Sequence, residues 1–366
     1  MGEFLFDPEF REAKIKILGI GGGGSNAVNY MVLQGLPATT TIAANTDKQA
    51  LEHIQAQFKV QIGRELTQGL GAGGNPEIGY RAMEEARDEI RELLQDADMV
   101  FLTAGMGGGT GTGGIQVAAD LCRELGILSV AVVTLPFEFE GPDRMETALE
   151  WLEKLEDRVD TLIVIPNQKL YELYSDITLV NAFAKSNEVL YNAVSGIVDI
   201  IVRVGLVNVD FADVRAIMKE GGRAIMGTGY GEGEDRAIQA ARNAISSPLL
   251  DGVSISGAKG ILVNFMADQS FGLGELAEAS NYILQEAKSG GSKPRLIFGT
   301  VLNDALEGKV RVTVIATGIG TPATTPPKPA EYEPWENTHP SDADLFGDTA
   351  IRKKRRRSTF RRRLPE

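Results

Sequence analysis

Residues 107–113 read Gly107-Gly108-Gly109-Thr110-Gly111-Thr112-Gly113 and follow the apolar run Met99-Val100-Phe101-Leu102. Five glycines in seven residues let backbone N–H groups converge on an anion, and two threonine hydroxyls add donors with little bulk. The segment Ile115 to Cys122 then reads as a helix. A glycine turn between a buried strand and a helix puts a phosphate near a helix N-terminus, where the macrodipole favours negative charge. No G-x-x-x-x-G-K-[ST] segment occurs in the chain, so this is not a Walker loop.

A second glycine cluster implies the same architecture. Lys14 to Ile20 is a buried-strand pattern that ends in Gly21-Gly22-Gly23-Gly24-Ser25-Asn26 and gives way to the helical Ala27-Val28-Asn29-Tyr30. Read alone, Gly19 to Gly24 satisfies G-x-G-x-x-G, and Asp47 lies at about the distance of a ribose-binding acid. A nicotinamide-dependent oxidoreductase is therefore one reading of the chain. Two further turns weigh against it: Asn45-Thr46-Asp47, after the strand-like Thr39 to Ala44, and Gly69-Leu70-Gly71-Ala72-Gly73-Gly74-Asn75-Pro76. Four such turns suit a nucleotide with several phosphates lying along the carboxyl edge of a parallel sheet.

At 366 residues the chain can bury two substantial cores. Apolar runs at 14–20, 39–44, 98–104, 127–135 and 160–166 alternate with amphipathic stretches such as Glu77 to Leu94 and Ala118 to Leu125. That alternation predicts parallel strands joined by right-handed crossovers. A second unit, 222 to about 317, has strand-like pieces at 224–229, 260–265, 296–301 and 310–315, helices near 234–246 and 273–288, and no phosphate loop. Between the units, Leu179 to Arg203 is a long helical pattern without proline. The single cysteine, Cys122, excludes a disulfide framework and fits a reducing compartment. The acidic residues 1–13 predict no signal peptide, and no apolar stretch approaches the roughly 20 residues that span a bilayer. A soluble, cytoplasmic protein is expected. His53 and His339 sit apart from any acid or serine in a catalytic arrangement, which gives no case for a histidine metal site or triad.

The motifs GIGGGGSNAVN, NTD, GLGAGG and GGGTGTG, followed by Pro136-Phe137-Glu138-Phe139-Glu140-Gly141, Ile165-Pro166-Asn167 and Asn208-Val209-Asp210-Phe211-Ala212-Asp213, resemble the FtsZ family of tubulin-like GTPases. The resemblance runs in order from about residue 13 to about 318. It implies a doubly wound, Rossmann-like parallel-sheet GTPase domain, a long central helix, a smaller α+β domain and a disordered C-terminal tail. The boundaries expected are an extension 1–13, a GTP-binding domain 14–177, the central helix 178–203, a catalytic loop and helix 204–221, an α/β domain 222–317, a linker 318–347 and a basic peptide 348–366.

The resemblance also implies the activity and its residues. GTP or GDP, with Mg2+ whose protein ligands stay unassigned, would lie on Gly21 to Asn26, Asn45, Gly71, Ala72, Gly73, Gly107, Gly108, Gly109, Thr110, Gly111 and Thr112. Glu140 and Arg144 would lie near the ribose and adjoining phosphates; by spacing alone they are an exposed i, i+4 pair. Asn167 would meet the sugar or base, where by default it is a turn residue. Phe183 would stack on guanine and Asn187 would bond its edge, although a Phe at this spacing alone reads as core. Asp210 and Asp213, with Asn208, would be catalytic.

Geometry adds a constraint. Asn187 and Asn208 are 21 residues apart, and a helix carries the chain roughly 30 Å over that length. The aspartates are then out of reach of their own nucleotide and can act only on a neighbouring subunit's GTP, across a head-to-tail contact that propagates into filaments. The competing reading makes them caps or first-turn charges for a helix from about Val214. A filament protein that does not hydrolyse would follow from it. The family often has Pro-Gly where this chain has Val204-Gly205.

Formal charge is −13, but residues 351–366 hold nine Lys or Arg and one Glu, +8, leaving −21 on the preceding 350. An acidic body argues against nucleic-acid binding by the globular part. Thr321 to Pro329 is proline-rich and reads as a disordered linker. The family docks membrane tethers and regulators through a short terminal peptide, and Asp348-Thr349-Ala350-Ile351-Arg352-Lys353 matches it in part. The basic run stays open between partner peptide, anionic-lipid contact, nucleic-acid contact and solvated tail.

Overall fold

The computed structural model describes residues 12–173, 178–203, 209–219, 222–250, 253–288 and 293–319. Ten strands form one sheet: β1 (Ile15–Ile20), β2 (Thr39–Asn45), β3 (Phe58–Gln61), β4 (Met99–Gly105), β5 (Leu128–Leu135), β6 (Thr161–Pro166), β7 (Gly222–Gly231), β8 (Gly260–Ala267), β9 (Arg295–Leu302) and β10 (Val310–Thr317). Helices α1 (Gly21–Leu33), α2 (Lys48–Glu52), α3 (Arg64–Thr67), α4 (Pro76–Glu85), α5 (Arg87–Leu94), α6 (Thr110–Leu125) and α7 (Pro142–Glu156) belong to the first half. Then come α8 (Asn167–Leu173), α9 (Leu179–Val202), α10 (Phe211–Lys219), α11 (Arg236–Ile245) and α12 (Leu273–Lys288).

The strand order is β3-β2-β1-β4-β5-β6-β7-β10-β8-β9. The pairs from β3 to β7 are all parallel, and the first six strands take the doubly wound order with its switch point between β1 and β4. β10 pairs antiparallel with both β7 and β8, and β9 lies parallel to β8. Because the parallel strands are covered on both faces, they read as continuous apolar runs. Ile15 and Ile17 of β1 join one core with α1, α9 and α10, while Leu18 and Ile20 join the other with α4 to α7.

Helix α9 packs on both halves of the sheet. Leu190, Val194, Ile197 and Val198 share a core with Phe101 and Val130 of the parallel strands and with Leu262 and Ile315 of β8 and β10. On the other face of those last strands, Ala240, Ala244 and Ile283 of α11 and α12 cover Val263, Phe265 and Val312.

Three differences from the sequence expectations have local causes. The stretch 77–94 is two helices rather than one, broken at Ala86 (φ −97°, ψ 12°). The unanticipated β3 is a four-residue edge strand, FKVQ, with only Val60 buried, so it carries no periodic signal. Two of the glycine clusters expected as loops are largely helical: Gly21 opens α1 and Thr110 opens α6, leaving Gly107 to Gly109 as turn, while Gly69 to Asn75 stays a turn. The first four N–H groups of a helix have no intrahelical partner, so an N-terminal turn presents the same converging donors as a loop.

Candidate active site

The two glycine clusters follow β1 and β4, the neighbours at the switch point, and so emerge side by side. A Cβ on Gly21 would stand 2.7 Å from the Gly111 nitrogen, so the two helix N-termini touch through backbone alone. The turn 71–75 is the third wall. A Cβ on Gly109 would lie 2.8 Å from Ala72 Cβ and 2.9 Å from the Asn75 nitrogen. Asn75 starts α4, its side chain accepting from Glu77 N at 2.9 Å with Pro76 in the first helical turn. The turn after β2 closes the fourth side, where Thr46 Oγ1 and Thr110 Oγ1 are 2.7 Å apart. Buried Asn45 accepts from Asp47 N at 3.3 Å.

On these turns, Gly22, Gly71, Gly73 and Gly108 have no atom within 4 Å of the position a Cβ would take. The buried hydroxyls of Ser25 and Thr112 have no hydrogen-bond partner among the described residues. Buried polar groups of that kind are normally satisfied, and phosphate oxygens suit them together with the converging N–H groups.

The next wall continues from the turn. A Cβ on Gly107 would come within 2.5 Å of the Arg144 carbonyl oxygen, which places α7 against the glycines. Arg144 Nη1 donates to Glu140 Oε2 at 2.5 Å, and Glu140 Oε1 accepts from Phe137 N at 2.9 Å. Phe137 meets Phe183 edge-on at 5.5 Å, and Phe183 remains 44% exposed, so it is not the core residue its spacing alone implies. Asn167 opens α8, is buried, and accepts from Ser186 Oγ at 2.9 Å; Asn187 is half-buried one turn beyond Phe183. Glu140, Arg144 and Phe183 are thus joined through Phe137, and Asn167 meets the helix that carries Phe183 through Ser186. Thr46 and Asn75 at the glycine turns, and Phe137 and Ser186 here, were not anticipated; each lies in or beside a motif, but none has a residue type that singles it out.

Asp47 does not take the role the oxidoreductase reading needs. Its Oδ1 caps α2, accepting from Ala50 N at 3.1 Å. Cys122, on α6, is fully buried, and desolvation followed by the Asp160 charge pushes its thiol up to about 12, which leaves it unreactive.

The aspartates lie at the other end. Arg215 of α10 donates to the carbonyl of Gly126, the residue capping the C-terminus of α6, at 3.4 Å. The 16 residues of α6 span about 24 Å, and the phosphate cradle is at its opposite end. Thr161, the first residue of β6, donates to the Met218 carbonyl, so α10 packs at the starting edge of the parallel strands. Asp210 starts α10, its carbonyl accepting from Asp213 N at 3.0 Å and its Oδ1 from Ala212 N at 3.4 Å. Asp213 Oδ1 pairs with Arg295 Nη2 of β9, a partner with no sequence signal. Asn208 and the Val204-Gly205 pair lie outside the described residues, as do the linker and basic peptide. Among the described residues no three His, Cys, Asp or Glu side chains could hold a metal together, and no helix is long and apolar enough to cross a membrane.

A doubly wound set of parallel strands with glycine turns walled together at its switch point, continued in the same sheet by a mixed half and spanned by one long helix, defines a tubulin-like nucleotide-binding protein. Residues 14–175 match the Tubulin/FtsZ family, GTPase domain, and residues 222–320 the FtsZ family, C-terminal domain. The chain is 50% identical over 314 residues to a cell division protein FtsZ of Coxiella burnetii, covering 86% of this chain and 81% of the relative. It is 49% identical over 325 residues to that of Azotobacter vinelandii, covering 88% and 82%. An empty FtsZ dimer from M. jannaschii superimposes with a TM-score of 0.81 at 44% identity, over 85% of this chain and 90% of that one. CetZ1 from Haloferax volcanii, a GDP-bound monomer, shares the fold at 20% identity and a TM-score of 0.72, over 84% and 96%. The chain belongs to the FtsZ family. It is a GTPase of the cell-division type that binds GTP and GDP, and neither the oxidoreductase nor the non-hydrolysing reading is favoured.

Proposed function

We propose that this protein polymerises head to tail in the cytoplasm, forms the ring at the bacterial division site, and hydrolyses GTP at each subunit contact. The observation that carries this reading is the contact of α10 with the C-terminus of α6, which separates Asp210 and Asp213 from the cradle by about the 24 Å length of that helix. Carboxylates so placed reach a phosphate only on another molecule. The contact that unites them joins unlike faces, and unlike faces repeat into open filaments unless they close into a ring.

In that contact the cradle holds GTP, with Glu140 and Arg144 at the ribose side and Phe183, Asn187 and Asn167 at the base. Asp210 and Asp213, with Asn208, orient and polarise the water. The backbone amides of Gly108 to Thr112 stabilise charge on the transferred phosphoryl group. A Mg2+ ion bound with the nucleotide would neutralise phosphate charge, with the hydroxyls of Ser25, Thr46, Thr110 and Thr112 among the oxygen donors near it. Residues 14–177 and 222–317 are the two folding domains, and the peptide 348–366 docks membrane tethers and regulators, its basic run adding a contact with anionic lipid or nucleic acid.

GTP turnover against protein concentration tests the reading. A threshold, with turnover per subunit rising above it and lost in Asp213→Ala, is expected. Concentration-independent turnover that survives the substitution would refute shared catalysis.

A further inference from the structure

The two ends of α10 are held differently. Its C-terminal half is fastened to both parts of the sheet: Thr317 Oγ1 donates to the Ile217 carbonyl at 3.2 Å and Thr161 Oγ1 to the Met218 carbonyl, with Ile217 and Met218 buried. Its N-terminal turn, which bears the aspartates, is packed on the core through Phe211 and Val214, while its polar side is held by local bonds to Asp210. Among the described residues, the side-chain contact that reaches Asp213 from elsewhere in the fold is Arg295, donating through Nη2 to Oδ1. Arg295 is itself well placed to act as an anchor. It opens β9, its backbone N–H donating to the Lys259 carbonyl at 2.8 Å and its Cα in register with Gly260.

We propose that Arg295 is a positioning residue for GTP hydrolysis, holding Oδ1 of Asp213 so that Oδ2 faces the attacking water. The inference rests on the reading that Asp213 acts on the neighbouring subunit's GTP. Two physical consequences follow from the pair. An Asp on an exposed helix turn samples several rotamers, and a guanidinium on one oxygen fixes where the other points. A bare carboxylate is also repelled by the phosphates it must approach, and the adjacent cation offsets that repulsion. The pair is half-exposed on both sides, so it contributes little to stability and its loss leaves the fold intact.

The test uses the full chain as wild type, Arg295→Ala, Arg295→Lys, Asp213→Ala and the Arg295→Ala/Asp213→Ala double variant. Polymer is pelleted to give the assembly threshold, and phosphate release is expressed per polymerised subunit. Arg295→Ala should keep the threshold within about twofold while turnover per polymerised subunit falls by about ten- to a hundredfold, the upper figure being the cost of misplacing a catalytic group by about 1 Å. Arg295→Lys should recover part of the loss, because it restores the charge without the planar fork. The double variant should be no slower than Asp213→Ala, since Arg295 acts through that carboxylate. Wild-type turnover in Arg295→Ala, a loss explained wholly by a raised threshold, or an additive loss in the double variant would overturn the inference. If Asp213→Ala itself turns over like wild type, the reading beneath it fails instead, and the two failures are told apart by that one variant.

Discussion

Two glycine-to-alanine substitutions, five residues apart, should separate the cradle's architecture from its ligand contacts. At Gly113 a Cβ would sit 1.8 Å from the Pro76 carbonyl oxygen and 2.5 Å from the Tyr80 nitrogen. Both are backbone atoms of α4, so no side chain can swing away. Ordinary contact begins near 3.4 Å, which requires α4 and α6 to part by about 1.6 Å. Overpacking of this kind costs about 1–3 kcal/mol, and a backbone obstacle puts Gly113→Ala at about 3. At roughly 2–4 °C per kcal/mol, the thermal midpoint should fall by about 6–12 °C. Gly108 is the opposite case, with nothing within 4 Å of its Cβ position and no left-handed backbone. Gly108→Ala should leave the midpoint of the nucleotide-free protein within about 1 °C of wild type.

If GTP lies as proposed, the methyl group would then stand in the space of its phosphates. GDP at 100 times its Kd stabilises by about 2.7 kcal/mol, and a hundredfold loss of affinity reduces that to about 0.4. The assay is thermal unfolding with and without GDP, below the assembly concentration. A fall of several degrees in nucleotide-free Gly108→Ala, or a full GDP response in it, would refute the placement of the phosphates in that open space.

Further outcomes follow from other residues. Phe183→Ala should weaken GDP binding about tenfold while moving the midpoint little, because the ring is half-exposed and touches Phe137 only edge-on; equal loss of stability would make it a packing residue. Burial first, opposed by Arg203, raises the Asp199 carboxyl, so its contribution to stability is fully present below the ordinary carboxylate value and is lost as pH rises through the folded one. Wild type should therefore lose stability relative to Asp199→Asn as pH rises through that window, measured by urea unfolding at a series of pH values; a constant difference would contradict it. Cys122 should resist alkylation at pH 8 until the protein is unfolded, and rapid labelling of the native state would show that α6 opens.

Much of this fold was legible because the parallel strands are covered on both faces. The runs at 14–20, 98–104 and 127–135 became β1, β4 and β5 to within a residue at each end. The helix expected over 179–203 ends at Val202. What stayed hidden lacked a period or depended on distant partners. Nothing in FKVQ marks an edge strand, and the break at Ala86 interrupts a sound amphipathic pattern without glycine or proline. The cradle was legible as residue types but not as geometry: the motifs named the turns, while the contact between Thr46 and Thr110 bridges 64 residues. Arg295 lies 82 residues from Asp213 in an ordinary strand-opening position, and only the folded sheet brings it there.

Catalysis shared between two subunits is tested most directly by mixing two inactive proteins. Asp213→Ala keeps an intact cradle, and Gly108→Ala keeps an intact aspartate face. At a GTP concentration that fills the first and leaves the second largely empty, each alone should be nearly silent. A one-to-one mixture above the assembly threshold should regain roughly a quarter of wild-type turnover, since random pairing in a head-to-tail filament unites a good cradle with a good aspartate face at one contact in four. A mixture as silent as its components would mean that each subunit must supply both halves of its own site, and the account would be wrong.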